Sequence, residues 1–531
     1  MRRRAFIKNV AFAAAFTALP MPHVLAGDEQ TERPNIVVFL VDDMGLMDSS
    51  NPFLTDDNKR AKRYPWNDFF RTPNMEKLAR KGVRFSNFYA HSVCSPTRVS
   101  LMTGQNSARH RTTNWIKPES NNGGVYGPPD WNWKGIGKTD PTIASMLRQN
   151  GYHTIHVGKA HFGPYGSYGE EPRNIGFDVN IAGCAHGRPG SYYAQDKYAG
   201  KRGSDKNYRR VPHLEAYWGS KTFLTEALTL EANKEIEKAV KNRKPFFLHM
   251  SHYALHAPMN SDPRFAANYS KSGKSKAVQA FATLVEGMDK SLGDILIKLE
   301  ELGIAENTLI FFLGDNGSYC PEAGPGIGYE EIISCAPLRG KKGSRYEGGV
   351  RVPFIAAWVS PNPKHALQKK LPIPANVIQS QIGVVYDLFP TILNAVEVKQ
   401  PAGHIVDGQD LRQLLTGRAD SSREDKFLCH FPHVKLGQPP FTTLVMGDWK
   451  VIYLYKSSEK YKRYQLFNLK NDPSESCDLA VSRPEKLEEM MRALVRELEN
   501  SKALLPVEKG TGEILKPLLP EKGVVKTCIS N

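Results

Sequence analysis

Long hydrophobic runs are missing from this sequence. The one sustained apolar stretch, residues 10–19, falls well short of the roughly 20 residues that a membrane-spanning helix needs, and no later segment is longer. The chain is therefore expected to carry no membrane span. Also missing is any block of lysine and arginine interleaved with aromatic residues, which removes the usual footprint of a nucleic-acid module. No imidazole lies close in sequence to the pairs Asp42-Asp43 and Asp315-Asn316, which counts against zinc at either. Cysteine is scarce and odd in number: seven, at 94, 184, 320, 335, 429, 477 and 528. Where pairing is permitted, an odd count leaves one thiol over. Cys94 is the candidate for a separate role, and Cys320 and Cys335 are near enough in sequence to close a modest loop.

What the chain does have begins with "MRRRAFIKNVAFAAAFTALPMPHVLAG": a basic start, an apolar centre and small residues around Ala26. This reads as a cleaved export signal over residues 1–26, and hence as a bacterial protein sent to the periplasm or beyond. Arg3, Arg4, Phe6, Ile7 and Lys8 resemble the twin-arginine type, with an ordinary secretory signal as the alternative. Losing that segment removes four basic residues and no acidic one, taking the net charge from +16 to +12. A surplus of that sign concentrates anionic ligands at the surface.

With 531 residues, the chain is expected to form one large domain and a smaller one. Four continuous apolar runs have the pattern of strands covered on both faces: "NIVVFLVDD", "YHTIHVGKAH", "PFFLHMSHYALHAP" and "TLIFFLGDNG". Helical patterns such as "TIASMLRQNG" and "AFATLVEGMDKSLGDILIKLEELG" lie between them. The alternation predicts an α/β fold with a doubly wound, mostly parallel sheet over residues 33–400. Two long segments interrupt it, 105–137 and 163–219, and loops of that length usually have a function. Residues 401–531 read as a smaller α+β domain, with an antiparallel sheet and one amphipathic helix starting at Ser482, where Glu485 completes a capping-box pattern.

Each predicted strand of the large domain runs into polar residues, and in such sheets the carboxyl ends of the strands form the ligand crevice. Asp42, Asp43, Lys159, His161, His256, Asp315 and Asn316 are therefore expected to converge. The carboxylate and amide oxygens select a hard cation, calcium or magnesium. In "HSVCSPTRVSLMTG", Pro96 suits the first turn of a helix, which puts Cys94 at its mouth and Arg98 one turn on. Cys94 then reads as a buried structural cysteine or as a thiolate nucleophile. The second reading lacks its motif, because thiolate phosphatases place an arginine six residues after the cysteine and here that position is Ser100.

Cys94-Ser95-Pro96-Thr97-Arg98, followed by Thr103-Gly104, resembles the signature of the formylglycine-dependent sulfatases, of the alkaline-phosphatase-like superfamily. The resemblance continues through "VGKAHFG", "HAP", "GDNG", "PLRGKKGSRYEGGVRVPFIAAW", "GDWKVIY" and "LFNLKNDPSE". It implies that a formylglycine-generating enzyme converts Cys94 to an aldehyde. Asp42, Asp43, Asp315, Asn316 and the modified Cys94 would hold calcium, with magnesium the lesser choice. Arg98 and His161 would hold the aldehyde hydrate, and Lys159, His256 and Lys342 the sulfate. One hydroxyl of the hydrate attacks sulfur, and the second then expels sulfate; His256 is the implied proton donor to the leaving alcohol, with Lys342 the runner-up. The family usually has serine at Thr97, and tryptophan and leucine at Ala160 and Phe162, departures that remove no functional group.

The expectation is an exported sulfatase acting on a sulfated small molecule or glycan. The carbohydrate part rests on the basic surplus, export and the loop aromatics Trp115, Trp131, Trp133, Tyr192 and Tyr193. A phosphatase or phosphodiesterase of the same superfamily, and a non-catalytic binder of sulfated glycans, are the alternatives. His249 and His252 fall on one strand with opposite facings, so at least one of them packs; His430 and His433 are candidate substrate contacts.

Overall fold

The predicted strands lie side by side. The computed structural model describes residues 33–322, 335–434 and 438–521. Strands Asn35–Val41 (β1), Val83–Phe85 (β2), His153–Gly158 (β3), Val179–Ile181 (β4), Phe246–His252 (β5), Thr308–Gly314 (β6), Phe354–Trp358 (β7) and Val377–Gln379 (β8) form one sheet in the order β8-β2-β7-β6-β1-β5-β3-β4. The four runs read from the sequence are its consecutive centre, β6-β1-β5-β3, all parallel. In this sheet only β7 runs against its neighbours.

Every residue of β1 is buried, because successive side chains enter two different cores. Ile36, Val38 and Leu40 join a cluster that includes Val99, Leu147 and Phe389 from helices Cys94–Thr103, Ile143–Gln149 and Leu388–Ala395. Val37, Phe39 and Val41 join another with Leu78, Leu228 and Val285 from helices Pro73–Lys81, Leu224–Lys241 and Lys276–Glu301. Helices therefore cover both faces, as a doubly wound sheet requires.

A second sheet is formed by consecutive antiparallel strands Lys426–Phe431 (β9), Phe441–Met446 (β10), Trp449–Leu454 (β11) and Tyr464–Asn468 (β12). Helix Pro484–Asn500 packs Leu487, Met490, Met491, Leu494 and Leu498 onto Leu444, Val451 and Leu466 of this sheet. The helix begins at Pro484 rather than at Ser482, whose hydroxyl donates to the Leu479 carbonyl instead of capping. Proline at the first helical position already has the helical φ and brings no orphan N–H to cap.

Cys320 and Cys335 are not joined, and no disulfide links the described cysteines. The export signal at 1–26 and Cys528 lie outside the described residues. Among the described residues no helix is long and apolar enough to cross a membrane.

Candidate functional site

The parallel centre of the large sheet delivers its polar loop starts to one edge. Asp42 and Asp43 follow β1, Lys159 and His161 follow β3, His256 follows β5, and Asp315 and Asn316 follow β6. Ligand-capable oxygens of Asp42, Asp43 and Asp315 lie within 4.8 Å of one another, and all three residues are fully buried. Asp43 and His161 reach their positions with left-handed backbone, φ 62° and 57°. Such conformations are uncommon outside glycine and gather at functional sites.

Basic side chains surround the carboxylates. Lys159 Nζ donates to Asp42 Oδ2 at 2.7 Å, and Lys342 Nζ pairs with Asp43 Oδ1 at 2.5 Å. Arg98, with no solvent exposure, places Nε and Nη2 on Asp315 Oδ2 at 2.9 and 2.7 Å, and Nη1 on the Lys159 carbonyl and Ser251 Oγ. Three oxygens remain buried without a hydrogen-bond partner: Asp42 Oδ1, Asp43 Oδ2 and Asn316 Oδ1. A buried acceptor left this way is costly, and three together, all oxygen, suit a hard cation. Burial and the neighbouring carboxylates push Asp42 well above the usual carboxylate range despite Lys159, so this corner is short of positive charge. Burial also raises Asp315, but Arg98 and Lys159 more than reverse it and leave it below its ordinary value.

Cys94 is the first residue of helix Cys94–Thr103, with extended Val93 before it and left-handed Gly104 (φ 71°) closing its far end. Its Sγ lies 3.4 Å from His161 Nδ1. His161 Nε2 is 2.6 Å from the Ile116 carbonyl, which can only accept, so the ring proton is on Nε2 and the bare Nδ1 faces Cys94 and Ser95 Oγ. Burial, with Lys159 next, holds His161 well below the usual imidazole range. His256 Nδ1 likewise faces the Ala257 carbonyl, leaving Nε2 bare and 3.7 Å from Asp43 Oδ2. Burial, then Lys342 and Lys159, depress it as well.

A cavity of about 250 Å³ opens above these groups, lined by Cys94, His161, His256 and Lys342, and by Trp115, Ile116, Pro118, Gly187, Arg188, Arg209 and Tyr319. The pocket thus combines basic walls, a cysteine at a helix mouth and a buried corner of unpartnered oxygens. Residues 34–398 match the family model described as Sulfatase. The chain belongs to the sulfatase family.

As a sulfatase it is a sulfuric ester hydrolase with the alkaline-phosphatase-like fold. It is 27% identical to arylsulfatase G of Rattus norvegicus, over 90% of this chain and 89% of that one. It is 31% identical to N-acetylgalactosamine-6-sulfatase of Mus musculus, over 72% of this chain and 66% of that one. The crystal structure of Ps i-CgsB in complex with k-i-k-neocarrahexaose superposes with a TM-score of 0.67 at 25% identity, covering 88% of this chain and 94% of that chain.

The sulfatase's fold places all ten residues singled out in its sequence (Asp42, Asp43, Cys94, Arg98, Lys159, His161, His256, Asp315, Asn316 and Lys342) in or directly beneath this pocket. Other candidates go elsewhere. His430 and His433 are buried and bonded to Thr442, Leu504, Thr113 and Gly123, so they do not reach the cavity. His249 pairs with His156 and His252 with Ser291, both buried on opposite faces of the sheet, so both pack. Of the loop aromatics, Trp115 lines the cavity, while Trp131 and Tyr192 are buried supports; the Tyr192 hydroxyl shares its one proton between the Tyr253 and His256 carbonyls, 2.7 and 2.8 Å away, and so braces the His256 turn. Sequence reasoning missed Arg188, Arg209 and Tyr319. The arginines sit in the long 163–219 segment, whose length and Gly-Tyr-Arg content were the available signal.

Proposed function

We propose that this sulfatase is an exported enzyme that removes sulfate from a carbohydrate, with residues 33–400 as its catalytic domain, 401–531 as a smaller supporting domain and a nucleophile made from Cys94. The observation that carries the reading is Cys94 at the helix mouth, its Sγ turned to His161 over the corner where three buried oxygens lack partners. Asp42, Asp43, Asp315, Asn316 and the modified side chain of Cys94 would hold calcium there, and calcium would supply positive charge to the sulfate oxygens. An aldehyde formed from Cys94 supplies, as its hydrate, one hydroxyl for attack at sulfur and a second that allows sulfate to leave, which a serine could not do.

The chain's own residues do the rest. Lys159 and Lys342, already anchored on Asp42 and Asp43, extend positive charge to the sulfate oxygens as negative charge builds up on them. Lys342 stays protonated: burial pulls it down, but Asp43 and the neighbouring acids hold it above the usual lysine range. Arg98 fixes the carboxylate corner, and His161 presents Nδ1 to the nucleophile with its orientation locked by Ile116. His256, with Nε2 bare toward the site, takes up a proton there and passes it to the departing alcohol; the negative charge of a bound sulfate favours that protonation. The basic surplus and Trp115 at the cavity wall suit an anionic sugar, and similar proteins carry sugar substrates in their names or are seen with an oligosaccharide bound.

Two measurements test this. Mass spectrometry of the peptide containing Cys94 is expected to show the aldehyde in place of the thiol; a free thiol throughout in active protein overturns the mechanism. Sulfate release from sulfated mono- and oligosaccharides is expected to exceed phosphate release from the matching phosphates. The reverse order points to a phosphatase, and binding without turnover points to a sulfated-glycan binder.

A further inference from the structure

One wall of the cavity carries more positive charge than the scissile sulfate needs. Arg188 and Arg209 both line it. With Arg202 they surround the ring of Tyr208, their guanidinium carbons lying 6.0, 5.1 and 5.2 Å from its centroid. The Tyr208 hydroxyl accepts from Arg209 Nε at 2.8 Å and from Arg202 Nη1 at 3.4 Å. Burial raises this phenol, and the three arginines more than reverse the shift, leaving it below its ordinary value. Of the acids near this group, Glu119 is exposed and 3.9 Å from Arg209 Nη2, too far for a hydrogen bond, and Asp205 lies across the strand pair from Arg202. Arg188 has no ion pair or hydrogen bond among the described residues.

Clustered like charges repel, so such a wall is stable only at some cost unless an anion fills it. Guanidinium forks match planar carboxylate and sulfate oxygens, and Trp115 and Tyr319 add ring faces nearby. The charge faces the reacting side: Arg188 and Arg209 line the same cavity as Cys94, His161 and His256. Gly187, beside Arg188, allows this loop to lie directly on His161, since a Cβ there would come 2.5 Å from the His161 Cε1.

We infer that Arg188 and Arg209 form a second anion subsite, so that the sugar this sulfatase prefers carries another anionic group, a second sulfate or a carboxylate, beside the sulfate that is removed. This rests on the sulfated-carbohydrate reading above.

The test compares three probes: a hexose monosulfate, the same hexose with two sulfates, and a sulfated hexuronic acid, each followed by sulfate release. The kcat/KM for at least one of the two doubly anionic sugars is expected to exceed that for the monosulfate. The ratio is expected to fall about ten- to a hundredfold in Arg188→Met and Arg209→Gln, as for loss of a hydrogen bond to a charged group. Arg209→Lys should recover part of it. Preference for the disulfated sugar identifies sulfate as the second group; preference for the uronic acid identifies a carboxylate. Equal kcat/KM for all three, or a ratio unchanged in both variants, overturns the subsite. Release from none of them counts against the proposed reaction instead. The subsite is then decided by calorimetric titration of the three sugars into Cys94→Ala, where tighter binding of a doubly anionic sugar must weaken on adding Arg188→Met, and equal binding overturns it.

Discussion

Arg98 has four side-chain hydrogen bonds and no exposure, and its guanidinium also lies 3.8 Å from Asp42 Oδ1. A cation so placed is a structural necessity for the carboxylates beneath the pocket. Arg98→Ala is expected to lower stability by about 3–5 kcal/mol, since it takes the paired arginine from buried Asp315 and leaves Asp42 with Lys159 alone. Arg98→Lys should lose less, and calorimetric Tm values give the comparison; an unchanged Tm for the alanine variant would show that the charges are compensated elsewhere. Cys94→Ala separates chemistry from folding at the same helix. It is expected to reduce turnover by at least about a thousandfold, as removal of a nucleophile does, with little change in Tm. Surviving activity contradicts the proposed nucleophile.

At the scale of elements, helix Cys94–Thr103 is held at both ends by requirements a reader of the sequence can see. Pro96 lies in its first turn and Gly104 in left-handed backbone beyond its last. Gly104→Ala adds the strain of that backbone, about 1–2 kcal/mol, and a Cβ 2.8 Å from the Phe389 ring, so Tm should drop. Gly187→Ala acts differently, because the new methyl meets the His161 ring rather than the core. Its expected signature is a fall in kcat with Tm nearly unchanged, measured on any sulfate ester the enzyme accepts. The parallel strand centre, the helix mouth and the acidic strand ends were legible because each follows from local pattern: apolar runs, proline position, adjacent aspartates. Strands β2 and β8 were not, since three residues carry too little periodicity to register.

The whole molecule depends on a buried junction between its two sheets. Lys450 of β11 pairs at 2.8 Å with both Glu347 and Glu475, and Arg351 supports Glu347 at 3.0 Å. Glu347 opens the short helix Glu347–Val350, close after Lys342 in the chain, so the small sheet helps fix the stretch that carries this cavity-lining lysine. Glu475, which shares one lysine with a second carboxylate, is pushed up to about 7, by burial first and then by Glu347 against Lys450. A raised folded-state value means that the native protein holds a proton the unfolded chain releases near 4.3. The stability this brings is complete below about 4.3 and is lost as pH rises through about 7. The Tm advantage of the native protein over Glu475→Gln should therefore shrink between pH 5 and pH 8; a constant difference would show that Glu475 is ionised throughout. Cation removal is the second test at this scale. Chelation should lower both activity and Tm, and calcium at a hundred times its dissociation constant should restore about 2.7 kcal/mol. Indifference of both to chelator would exclude the carboxylate corner as a metal site.

By itself the sequence determined the sheet's centre and the chemical types at its edge, because backbone periodicity and strand-end polarity are local properties. It also marked the 163–219 segment as a candidate by its length, and two of its arginines line the cavity. Which of the neighbouring histidines and aromatics face the pocket was decided only by the tertiary structure. His256 and His252 are four residues apart, yet one lines the cavity and the other lies under the sheet. The chain turns between them, and the direction of a side chain beyond a strand end depends on contacts with residues remote in sequence. The same holds for Arg188 and Arg209, brought to one wall by a loop whose path is set by what it packs against.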